Sequence, residues 1–74
     1  MARPDLMCIG CGKSPDQLDE YVEPAADQPD DYKDAADYCW QEEGTLNREN
    51  GHFLCTVCYV EAGAPSSPHG WTAP

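Results

Sequence analysis

The chain has 74 residues, five of them cysteine, and sets fourteen acidic against four basic side chains for a net charge of −10. That length excludes more than one domain and leaves too little apolar surface for a core that stands without a staple. The charge excludes the basic footprint of a protein that grips nucleic-acid phosphates, and no apolar run approaches the ~20 residues of a membrane span.

The first residues, Met1-Ala2-Arg3-Pro4-Asp5, lead into a cysteine pair with no apolar leader. The expected location is therefore the cytoplasm, where thiols stay reduced. Five cysteines, an odd number, also fit a pure disulfide framework poorly. Cys8-Ile9-Gly10-Cys11-Gly12 is a C-x2-C pair in which the glycines permit the tight turn of a zinc knuckle. Cys55-Thr56-Val57-Cys58 is a second pair, with 43 residues between Cys11 and Cys55. Together Cys8, Cys11, Cys55 and Cys58 supply the four thiolates of one closed, tetrahedral, structural Zn²⁺ site. The gap exceeds the usual ~15–20 residues between such pairs, so an insertion is expected. Four unligated thiols are the plain alternative, and they leave the small fold unsupported. A thioredoxin-like redox pair lacks room for its βαβ setting.

Between the pairs, Ser14-Pro15-Asp16-Gln17 has the cap, the proline and the glutamine of a helix start. Leu18, Tyr21 and Val22 follow at helical spacing, and Pro24 is expected to end the helix. Residues 23–37 are acidic and broken by proline, and read as an exposed loop with at most one helical turn near Asp31–Ala36. The next segment reads as a β-hairpin. Tyr38, Trp40 and Glu42 alternate with Cys39, Gln41 and Glu43, Asn47–Gly51 forms the turn, and His52–Cys55 returns. A short helix is expected over Val57–Ala62, with Cys58 in its first turn and Gly63 as its cap. Trp40 and Phe53 are the expected core over the metal, and Cys39 is a buried, non-ligand thiol. Residues 1–63 thus form one zinc-binding domain with an acidic insertion at about 23–37. Residues 64–74, with His69 and Trp71, read as a flexible tail.

Knuckle, hairpin, then a helix with the second ligand pair is the order of a treble clef, a small α+β zinc-binding fold. The stretch Cys8-Ile9-Gly10-Cys11-Gly12, then Trp40, then Gly51-His52-Phe53-Leu54-Cys55-Thr56-Val57-Cys58 resembles the GATA-type zinc finger, whose pattern is C-x2-C-G, a tryptophan, then G-H-Y-L-C-x2-C. Glu42-Glu43-Gly44-Thr45-Leu46-Asn47 and Asn50–Tyr59 are also similar to small zinc proteins of actinobacterial phages. The first resemblance implies a fold. The second implies an origin, with a host cytoplasm as the working compartment.

Function does not follow the first resemblance, because GATA-type fingers bind DNA with basic residues. Here Arg3, Lys13, Lys33 and Arg48 are the only bases, and eleven of the fourteen acids lie between Asp16 and Glu43. No direct DNA or RNA binding is expected. Four thiolates leave the metal no open position for water, so no enzyme activity is expected either. His52 stands three residues before Cys55 and is expected to pack or hydrogen-bond rather than ligate. The acids do not follow an EF-hand order. What remains is a protein–protein interaction module that meets a basic surface through Asp27, Asp30, Asp31 and Asp34, its target a host protein, for instance one that binds nucleic acid. The alternative is a GATA-like, transcription-linked regulator that contacts nucleic acid.

Overall fold

The computed structural model describes residues 3–64 and 71–74. Its elements in chain order are β1 (Met7–Cys8), a 3-10 turn (Pro15–Gln17), α1 (Asp19–Asp27), α2 (Ala35–Glu42), β2 (His52–Phe53) and α3 (Thr56–Glu61). The chain is a small α+β domain, and no described helix is long and apolar enough to cross a membrane.

The knuckle forms as its glycines predict. The Gly12 N–H donates to the Cys8 carbonyl at 2.8 Å, and the Cys8 N–H donates to the Lys13 carbonyl at 2.9 Å. The helix start at Ser14 is also present. The Gln17 side chain accepts from the Ser14 N–H at 3.1 Å, and Pro15–Gln17 make a 3-10 turn before α1 begins at Asp19.

Pro24 does not end this helix, which runs through it to Asp27. Proline forfeits one backbone hydrogen bond and crowds the preceding turn. Tyr21 and Ala25, four apart on one face, are both buried, and that burial outweighs the loss.

The expected hairpin is absent. Its first strand is the helix α2, entered from Asp34, whose carboxylate accepts the Asp37 N–H at 2.8 Å. The alternation of Tyr38, Trp40 and Glu42 suggested a strand. The burial that counts has a spacing of four, Ala35 and Cys39, both in the core. The cap at Asp34 and a helix-favouring composition of Ala, Gln and Glu complete the case. The acidic insertion is accordingly a packed helix pair, α1 and α2, joined by residues 28–34, and not a loop over 23–37.

With no hairpin partner, β2 pairs in parallel with β1, Met7 opposite His52 and Cys8 opposite Phe53. Parallel neighbours need a long crossover, and the helix pair is that crossover. The Met7 N–H donates to the Gly51 carbonyl at 3.0 Å, and the Ile9 N–H to the Phe53 carbonyl at 2.8 Å. The Asn47–Gly51 turn is where it was expected, but it leads from α2 into β2. It is closed by the Gly51 N–H on the Asn47 carbonyl at 2.7 Å.

Phe53 is fully buried, with the Tyr21 ring edge-on to it at 5.5 Å. Leu6, Cys8, Ala35, Cys39, Leu46 and Leu54 pack around them. Trp40, expected beside Phe53, is only half-buried. Its ring lies under two guanidinium groups, Arg3 at 5.1 Å and Arg48 at 5.6 Å, and Arg48 also donates to the Trp40 carbonyl at 2.6 Å. An indole with charged groups over its face keeps those charges near water, so the ring sits at the rim of the core.

Where a flexible tail was expected over 64–74, residues 71–74 pack back on the domain. The Ala73 N–H donates to the Thr45 carbonyl at 2.8 Å, Asn47 donates to the Ala73 carbonyl at 3.0 Å, and Ala73 is buried. Trp71 meets the Tyr59 ring at 6.4 Å. His69 lies outside the described residues.

Candidate metal centre

The parallel pairing of β1 with β2 decides where the four cysteines meet. It places the knuckle beside the end of β2, from which the chain turns at once into α3. Helix α3 begins one residue before the expected Val57, so Cys55 is its N-cap, and Cys58 stands in its first turn as the spacing predicts. The helix closes where Gly63 was expected to cap it. The Gly63 N–H donates to the Val60 carbonyl at 3.0 Å and the Ala64 N–H to the Tyr59 carbonyl at 2.9 Å, the two bonds of a Schellman motif, with Gly63 at φ +90°.

The sulfurs of Cys8, Cys11, Cys55 and Cys58 all lie within 4.8 Å of one another. A tetrahedral ion with ~2.3 Å metal–sulfur bonds needs its sulfurs about 3.8 Å apart, so the cluster fits such an ion with small adjustment. Cys8 and Cys55 are buried, Cys58 is half-buried and Cys11 is exposed. Gly10 makes the approach possible, because a Cβ there would stand 2.7 Å from both Cβ and Sγ of Cys58.

The surroundings of the thiols suit a cation. Burial pushes the Cys8 thiol up, but N–H groups of Cys55, Cys11 and Gly10 aimed at its sulfur outweigh this and bring it down to about 7. The Cys55 N–H lies 3.4 Å from that sulfur. Cys55 is raised, chiefly by burial. Cys58 is raised by its hydrogen bond with the Cys55 thiol, then by burial. One thiolate is favoured and its neighbours resist ionising beside it. A divalent cation at the centre removes that conflict.

Cys39 stands apart, fully buried in α2. Burial, then the charges of Glu43 and Glu20, push its thiol up to about 12, so it is a packed, neutral side chain. We expect Cys39→Ala to keep the metal and to cost about 1–2 kcal/mol of stability for the small cavity, whereas Cys55→Ser loses both metal and fold. Metal content and circular dichroism of the two variants check this. Loss of metal from the Cys39 variant would show the ligand set to be wrong. His52 is likewise outside the cluster, with its Nδ1 2.9 Å from the Pro74 main-chain oxygen.

Sequence reasoning missed the contacts that tie the helix pair to this centre. Glu20, on α1, accepts the Thr56 N–H at the start of α3, at 2.9 and 3.3 Å to its two oxygens. Asp37 is buried, not solvated. It accepts the Lys33 N–H at 3.0 Å and an Arg3 guanidinium N–H at 2.8 Å. These bonds, the backbone one first, hold its carboxyl down at about 2. Partners 36 and 34 residues apart leave no local pattern by which to find them.

The four aspartates expected to meet a partner are all exposed. Asp27 ends α1, Asp30 and Asp31 lie in the connection, and Asp34 caps α2. Comparison with protein-family models, with curated proteins and with solved structures finds no match, and the chemistry of the centre rests on its own four sulfurs.

Proposed function

We propose that this chain is a zinc-stabilised protein–protein interaction module that meets a basic surface through the connection between α1 and α2. Four cysteine sulfurs, with no histidine or carboxylate among the described residues at the centre, suit zinc in a closed structural site. Such a site holds shape and leaves no position for substrate. The partner surface is carried by one observation. Four aspartates are exposed around a single connection of seven residues, 28–34, whose backbone is fixed by the Asp31 and Tyr32 N–H groups on the Gln28 carbonyl, both at 3.0 Å. The fold does not need most of this charge. Asp27 sits at the C-terminal end of α1, where the helix dipole disfavours an acid. Only Asp34 has a structural task, as a cap.

The similarity to small phage zinc proteins favours a host protein as the target, and a DNA-like charge favours one that binds nucleic acid. The GATA-like reading has less behind it. Two of the four basic side chains, Arg3 and Arg48, are turned onto Trp40, and Arg3 also pairs with Asp37.

The test is to change Asp27, Asp30, Asp31 and Asp34 together to Asn, which still caps a helix. Zinc content and fold should persist. Association with polylysine should slow about tenfold or more at low salt. The wild-type interaction should fade as the Debye length falls from about 10 Å at 0.1 M to about 3 Å at 1 M salt. Equal binding by the variant at every salt concentration would remove these residues from the interface. Tight, sequence-dependent DNA binding by the wild type would favour the GATA-like reading instead.

A further inference from the structure

Beside the acidic connection lies an open cleft of about 400 Å³, within the size range of ligand pockets. Its floor is apolar: Val22, Ala25 and Ala26 from α1, Pro29 from the connection, and Ala35 from the start of α2, with Tyr32 alongside. Its rim carries Asp16 and Asp34, with Lys33 as the one cation. Asp27, Asp30 and Asp31 each adjoin a lining residue in the chain, and all three are exposed. The cleft exists because α1 continues through Pro24, and because the small side chains at 25, 26 and 35 leave room where the two helices meet.

We propose that this cleft takes one large apolar side chain from a lysine- or arginine-rich segment of the partner protein, a specificity device that rests on the interaction reading above. An apolar floor inside an acidic rim is complementary to an apolar residue flanked by basic ones. The rim charge steers the segment, and the floor selects within it. A second copy of this chain is a poor occupant, since two surfaces of net charge −10 repel each other.

The experiment uses the zinc-loaded chain and two lysine-rich peptides identical except for a central leucine or a central glycine. At 0.15 M salt the leucine peptide should bind about tenfold tighter, the effect of removing part of one leucine side chain from water. Only the leucine peptide should shift the amide resonances of Val22, Ala25 and Ala26. Ala26→Phe, which fills the cleft from an exposed helix position, should erase the preference. The wild-type comparison stands even if that variant fails to fold. Equal, salt-sensitive binding of both peptides would overturn the cleft and leave the acidic surface standing. Failure of both to bind would overturn the two together. A leucine preference that survives in a folded Ala26→Phe chain would place the apolar contact elsewhere. Self-association of the wild type, lost in Ala26→Phe, would assign the cleft to a second copy and also overturn the proposal.

Discussion

Stripping the metal with a chelator should unfold this chain, and restoring zinc should refold it. The elements explain why so little is left without the ion. The sheet has two residues in each strand. Helix α3 has six, far below the ~12–15 at which an isolated helix persists in water. Phe53, Cys8 and Cys39 are the largest fully buried side chains, and Cys8 belongs to the four-sulfur cluster. Structural zinc contributes about 10–16 kcal/mol in small fingers, as much as the whole net stability of an ordinary domain. The expected result is loss of far-ultraviolet circular dichroism and of any cooperative thermal transition on chelation. A chelated chain that still melts cooperatively would show that the helix pair and Phe53 suffice alone.

Gly51→Ala should also be strongly destabilising, though it lies outside the four-sulfur cluster. Gly51 has φ +81°, and the carbonyl oxygen of Asp5 occupies the place its Cβ would take. The left-handed conformation alone costs a residue with a side chain about 1–2 kcal/mol. Here the obstacle is backbone, which cannot swing aside as a side chain can. Gly51 also supplies the carbonyl that receives the Met7 N–H, so any shift parts β1 from β2, and with them the two cysteine pairs. Folding and metal binding are one equilibrium in such a chain. A loss of about 3 kcal/mol should therefore appear as roughly a hundredfold weaker zinc affinity in a chelator competition. Gly44→Ala is the control. It has open space and no positive φ, and should stay within about 0.5 kcal/mol of wild type. Similar affinities for the two variants would refute the steric account.

The parts legible in the sequence are those fixed by short spacing. Cys8 and Cys11, Cys55 and Cys58, Gly12, Gly63 and the Ser14–Gln17 start act within one turn of chain, and each falls where its pattern places it. Cys39 and His52 were separable from the ligands because neither belongs to a C-x2-C pair. Two of the misreadings, at Pro24 and at 38–43, share a cause. Local rules ended one helix and alternation suggested a strand, but the burial of Tyr21 and Ala25 on α1 and of Ala35 and Cys39 on α2 decided both, with Tyr21, Ala35 and Cys39 in one cluster with Phe53. That burial follows from the parallel pairing of β1 with β2, which has no sign within any short window. The same holds for Glu20 on Thr56, Arg3 on Asp37 and Ala73 on Thr45. The acidity of 16–43 was plain, but which acids face inward was not. Asp37 and Glu43 are set apart by partners that the fold brings to them.

We propose that Cys8, Cys11, Cys55 and Cys58 hold one structural zinc between them. X-ray absorption at the zinc edge of the purified, zinc-loaded chain addresses it directly. The expected result is one zinc per chain with four sulfur neighbours at about 2.3 Å and no lighter atom in the shell. A nitrogen or oxygen neighbour at about 2.0–2.1 Å, or a shell of fewer than four sulfurs, would contradict it.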